Sequence, residues 1–127
     1  MPVKITQSVL DDLTAQAKAS HRLRMNLDLR NSPTDMSQRM LNAIEPGGPV
    51  PIHWHRFSSE TVVCLRGRLV EEFYDESGLV CTERIELTPC GPVVALNIPI
   101  GQRHTVRSLE SRTVILEVKD GAYAPGV

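Results

Sequence analysis

No run in the sequence approaches the roughly 18 consecutive apolar residues that would span a bilayer. The amino terminus also lacks the basic start and apolar stretch of a secretory signal, so a cytoplasmic chain without a membrane partner is expected. Excess charge of one sign is missing too: 14 Lys and Arg face 15 Asp and Glu, a formal net charge of −1. That balance offers no basic footprint for nucleic acid and no polybasic patch for a membrane surface. Cysteine is scarce and odd in number. Cys64, Cys81 and Cys90 have no metal-knuckle spacing, so free thiols in a reducing compartment are the simplest account. No internal repeat or linker interrupts the 127 residues, which suffice for one domain with one core.

One helix is predicted, over residues 6–19. Thr6 or Ser8 can cap it, Asp11 and Asp12 lie in its early turns and Lys18 in its last, as the helix dipole favours. Val9, Leu13 and Ala17 give a narrow apolar stripe that Leu10 and Ala15 widen unevenly. So short a helix is not stable alone. It is expected to pack on a sheet or on a second subunit, and with Trp54 it points to a homodimer.

The remainder reads as short strands punctuated by Gly and Pro. Period-two alternation marks residues 23–29, and further strands are expected at 38–44, around 53–65, and at 68–74. Asp75-Glu76-Ser77-Gly78 is a hairpin signal, after which 79–87 pairs back. Strands at 92–98, 104–108 and 113–119 complete an all-β antiparallel barrel or jelly roll. The expected division is a helical segment over 1–22, a barrel over 23–120 and a loose tail over 121–127.

The chemistry concentrates between Gly47 and Gly67. There the spacing is Gly-x5-His-x-His-x4-Glu-x6-Gly, with His53, His55 and Glu60 as the polar positions. Two His two apart on a strand leave the same face, and Glu60 follows a turn-prone Phe57-Ser58-Ser59. Downstream, Pro99-x-Gly101-x2-His104 sets a fourth candidate at the head of another strand. Three imidazoles and one carboxylate suit a divalent transition metal, one per chain, with Fe, Mn, Ni, Co and Zn all compatible.

The first stretch resembles the first signature of the cupins at every ligand position, and Pro99-x-Gly101-x2-His104 resembles the core of the second. Ser108 stands where Asn is usual, and Gly91 lies further upstream than the pattern has it. Within the cupins the whole chain resembles the WbuC family of small cupin-fold metalloproteins. The opening helix with Arg24-Met25-Asn26, the run from Gln38 to Ala43 and the tail from Leu116 to Tyr123 carry that resemblance. It implies a cupin barrel, a metal, and an association with bacterial surface-polysaccharide (O-antigen) gene clusters. A small-molecule partner such as a sugar or sugar nucleotide follows from that association.

Three functions compete on these residues. An isomerase or epimerase would use the ion as a Lewis acid toward a substrate oxygen. A Fe- or Mn-dependent dioxygenase would use the same ligands on a small organic substrate. A binding or sensing module would keep its metal closed. Asn42, Arg39 and Tyr74 are the candidate substrate contacts: Asn42 is polar on an otherwise inward-looking face, Arg39 can bind a carboxylate or phosphate, and Tyr74 ends a strand. Asn42 and Arg39 have opposite parity, so one unbroken strand does not aim both at the metal. Cys64 shares the parity of Glu60 and reads as a small core residue; thiol dioxygenases resemble the His-x-His but lack the Glu that this chain keeps.

Overall fold

The computed structural model describes residues 1–124. Helix α1 (Gln7–Ala19) precedes eight strands: β1 (Arg24–Asp28), β2 (Ser37–Ile44), β3 (Glu60–Arg66), β4 (Leu69–Tyr74), β5 (Cys81–Leu87), β6 (Ala95–Ile98), β7 (Arg103–Ser108) and β8 (Thr113–Asp120). They form two antiparallel sheets, one in the order β1-β2-β8-β3-β6 and the other β5-β4-β7.

Register decides which residues face the interior. Asn26 pairs with Asn42, Asn42 with Ile115, Met40 with Glu117, and Glu117 with Val62, so these share the inner face of the five-stranded sheet. On the other sheet Phe73 pairs with His104, Glu71 with Val106 and Leu69 with Ser108. One end of the interior is dry, filled by Ile44, Val62, Cys64, Leu69, Phe73, Leu87 and Ile115. The other end collects the polar inward positions, and there the barrel keeps a cavity.

The outer face of the larger sheet is dry as well. Leu10, Leu13 and Ala17 of α1 bury against Leu41, Ala43 and Val114. Each fully buried leucine contributes about 1.5–3 kcal/mol, which holds a helix too short to stand alone. The buried stripe is Leu10, Leu13, Thr14 and Ala17, one residue round from the expected Val9 line. Thr14 belongs to it because its hydroxyl accepts from Arg66 at 3.0 Å. Thr6 caps the helix, accepting from the Val9 amide. Since α1 finds its partner within the chain, it does not argue for a second subunit. Trp54 is not beneath the helix either: it is 40% exposed, with the Arg103 guanidinium 5.3 Å above its ring.

Gly67 joins β3 to β4 at φ +81°, and a Cβ there would run into Thr113, so both conformation and space require glycine. The predicted hairpin forms, with Ser77 donating to the Asp75 carboxylate. Of the expected tail, Gly121 and Tyr123 each meet one residue from the rest of the chain. Gln38 Nε2 donates to the Gly121 carbonyl at 3.0 Å, and Arg30 stands 5.8 Å from the Tyr123 ring centre. The tail's last three residues, 125–127, lie outside the described residues.

The three cysteines are unpaired. Cys64 shares Glu60's face but points into the dry end of the barrel, where burial pushes its thiol up to about 11. A thiol reagent should therefore modify Cys90 and Cys81 in the folded protein and reach Cys64 only on unfolding. Time-resolved titration with peptide mapping checks this; early labelling of Cys64 would contradict its placement.

Candidate metal centre

The segment before β3 is not the strand that the sequence suggests. Pro49 and Pro51 have no amide hydrogen to give a ladder, and pairing reduces to one bridge. In it the His53 amide donates to the His104 carbonyl at 3.0 Å, and the His104 amide donates back at 2.9 Å. This reciprocal pair sets two imidazoles side by side, ring centres 4.3 Å apart. The His55 carbonyl is fixed by the Gly101 amide at 2.9 Å, which swings its ring to within 5.2 Å of His53 and 5.9 Å of His104. Glu60 begins β3 facing inward, 4% exposed, and His104 is 2% exposed.

One donor atom from each of His53, His55, Glu60 and His104 lies within 4.8 Å of every other. Two ligands on opposite sides of an ion at ~2.1 Å each would stand roughly 4.2 Å apart, so small side-chain shifts suffice to close on one. Hydrogen bonding selects the donor atoms. His53 Nδ1 donates to the Pro51 carbonyl and His104 Nδ1 to the Gln102 carbonyl, each at 2.9 Å, leaving the Nε2 lone pairs free. His55 Nε2 stands 3.1 Å and His104 Nε2 3.6 Å from Glu60 Oε2. Yet none of these three buried atoms has a partner in hydrogen-bonding geometry among the described residues. Buried polar atoms left so cost about 1–3 kcal/mol each, and an ion on which they converge removes that cost. The residues fit a divalent transition metal.

Without metal, the electrostatics already favour an ionised Glu60 and a neutral His53. Burial pushes the Glu60 carboxyl up, but the His104 and His55 imidazoles outweigh it and hold Glu60 well below the usual carboxylate range. Burial lowers His53, helped by the two neighbouring imidazoles and only partly offset by the Pro51 carbonyl, which favours the neutral ring a metal needs. For His104 burial is outweighed by Glu60 and the Gln102 carbonyl, and its pKa rises.

Inside this cluster lies a cavity of about 190 Å³, walled by His53, Glu60 and His104 on one part and by Arg24, Asn42, Glu71 and Glu117 on another. A second hollow, of about 280 Å³, lies on the His55 side beside Phe57 and Tyr123. Of the three substrate candidates, the structure brings only Asn42 to the metal cavity. Arg39 has the opposite parity on β2, and its guanidinium pairs with Asp35 at 2.8 Å. Tyr74 pairs with Arg103, one step out of phase with His104, and lines a separate open hollow with Thr82 and Gln102.

Glu71 and Glu117 were not legible as site residues. Burial, reinforced by Glu60 and Glu117, raises Glu71 well above the ordinary carboxyl range. Burial and the Glu60 charge push Glu117 up to about 7, against the opposing pull of Lys119 and His104. Without metal, an unfolded chain releases the Glu117 proton near pH 4.5 while the folded chain keeps it to about 7. The folded state thus binds more protons across that window, and stability falls as pH rises through it. Glu117→Gln should accordingly match the metal-free wild type near pH 4.5 and exceed it by on the order of 2–3 kcal/mol above pH 7. Denaturant titrations at both pH values check this; a difference independent of pH would contradict it.

Residues 5–87 match the family model described as a domain of unknown function, DUF6016. The chain belongs to the DUF6016 family. None of the curated proteins matches it in sequence. Solved structures share its fold. KdgF from Halomonas sp. is similar with a TM-score of 0.63 at 14% identity, over 79% of this chain and 82% of that one. The capsular polysaccharide assembling protein CapF from Staphylococcus aureus gives 0.65 at 23% identity, over 84% of this chain but 30% of its own length. The cupin domain of Schizosaccharomyces pombe Cnp3 gives 0.60 at 10% identity, over 79% of this chain and 65% of that one. The DUF6016 chain is thus a cupin barrel, as its two signatures imply, and it spans under a third of CapF.

Proposed function

We propose that this DUF6016 cupin is a metal-dependent isomerase or epimerase acting on a small hydroxyl- or carbonyl-bearing molecule of carbohydrate metabolism. The observation that carries the reading is the convergence of His53, His55, Glu60 and His104, three of which (His53, Glu60 and His104) wall a polar cavity. A structural ion needs no such cavity. A divalent ion held by those four would supply Lewis acidity toward a substrate oxygen.

The chain's own residues supply the rest. Glu117 lines the cavity from β8 and is placed to take a proton from substrate carbon. Glu71, whose carboxyl burial raises, can donate a hydrogen bond when protonated. Asn42 presents an unpaired Oδ1 to a ligand hydroxyl. At ~30 Å³ per water the cavity holds about six, room for one small unit, so the nucleotide of a sugar nucleotide would stay outside. The carbohydrate assignment draws support from the WbuC resemblance and from the shared fold with CapF. A homodimer and a cytoplasmic location belong to the same reading and are tested by solution mass and by thiol titration of unreduced protein.

Metal-loaded protein incubated in D2O with a panel of small sugars and sugar acids should incorporate deuterium beside a carbonyl. That exchange should vanish in Glu117→Gln, which keeps its metal. Oxygen consumption without exchange would overturn the reading in favour of a dioxygenase.

A further inference from the structure

Three polar atoms in the cavity wall remain unpaired after the metal ligands are accounted for: Arg24 Nε, Asn42 Oδ1 and Glu71 Oε2. Asn42 is 8% exposed and Glu71 2%, so bulk solvent does not satisfy them. They come from three strands. Arg24 stands on β1, on the same face as Asn26, which pairs with Asn42 of β2; Glu71 arrives from β4 of the other sheet. Arg24 has no carboxylate within ion-pairing distance among the described residues. Such a guanidinium, half-buried in a polar cavity, is an anchor awaiting an anion.

Formal charge points the same way. Arg24 and Lys119 carry positive charge into the cavity, and Glu60 and Glu117 carry negative charge. A divalent ion leaves the balance positive whether or not Glu71 holds its proton, and a positive buried site favours an anionic ligand. A volume of about 190 Å³ favours a small ligand.

We propose that Arg24 forms an anion subsite that holds the carboxylate of a small hydroxy acid, whose hydroxyl donates to Asn42 Oδ1 and whose other oxygens reach the metal. This rests on the proposed metal site and narrows its substrate class from neutral sugars to acids. The guanidinium fork matches the two oxygens of a carboxylate, and a cavity of about 190 Å³ favours so compact an anion over a phosphorylated sugar.

Glycerate and glycerol, of equal carbon count, separate the acid from the polyol. Calorimetry on zinc-loaded protein should show glycerate binding at least ten-fold tighter than glycerol. Arg24→Gln should lose at least ten-fold for glycerate and change glycerol little, with bound zinc per chain unchanged. Arg24→Lys, which keeps charge without the fork, should fall between. Equal binding of the two ligands by wild type, or undiminished glycerate binding in a folded, zinc-loaded Arg24→Gln, would overturn the subsite while leaving the metal site standing. Absence of zinc from wild type would instead overturn the metal reading, and this proposal with it.

Discussion

The double variant His53→Ala, His55→Ala should purify essentially free of metal from a host in which the wild type carries about one ion per chain. Two of four converging donors are removed, including one of the two imidazoles held side by side by the reciprocal bridge. Losing a mere supporting partner of a ligand costs 10–100-fold in affinity, so losing two ligands should cost more than about a thousand-fold. Both residues lie between β2 and β3, outside the dry core, so circular dichroism should report an intact barrel. Elemental analysis provides the comparison, and equal metal in the two proteins would sink the assignment.

Glu60→Gln should weaken metal binding by about 10–100-fold without unfolding the protein. Glu60 is the one anionic donor of the four, so it lowers the charge of a divalent site from +2 to +1 while strengthening binding. Glutamine keeps the size and one oxygen but not the charge. Removal of a buried carboxylate also relieves the pressure that Glu60 exerts on Glu71 and Glu117, both of which it raises. Calorimetric titration of matched metal-free proteins reads the effect. Unchanged affinity would mean that Glu60 does not touch the ion.

What was legible in the sequence follows from how each feature is encoded. The ligand cluster was legible because its order and spacing are local: two His two apart, then Glu, then a Pro-x-Gly-x2-His turn. Apart from residues 53–59, which form no strand, the strands were legible to within a few residues because Gly and Pro bound them. Glu71 and Glu117 were not: Glu117 lies between Leu116 and Val118 and Glu71 beside Glu72, and each reads as a solvent-facing position. Glu71 and Glu72 are adjacent, yet one faces the cavity while the other meets Arg84 at 2.7 Å and Arg107 at 2.9 Å. Only the pairing of Phe73 with His104 tells them apart, and register between β4 and β7 is not written in either strand alone. In the larger sheet the helix dries the outer face, so Leu41 and Ala43 are as apolar as Met40 and Ile44 and alternation fades.

The central claim is that the ion sits on three imidazoles and one carboxylate and keeps a position open to the cavity. Metal-edge X-ray absorption on metal-loaded wild type, compared with Glu60→Gln, addresses it most directly. The account predicts only nitrogen and oxygen donors, an imidazole signature, and at least one solvent oxygen that glycerate displaces. A sulfur donor, or a closed four-coordinate ion indifferent to added ligand, would contradict it.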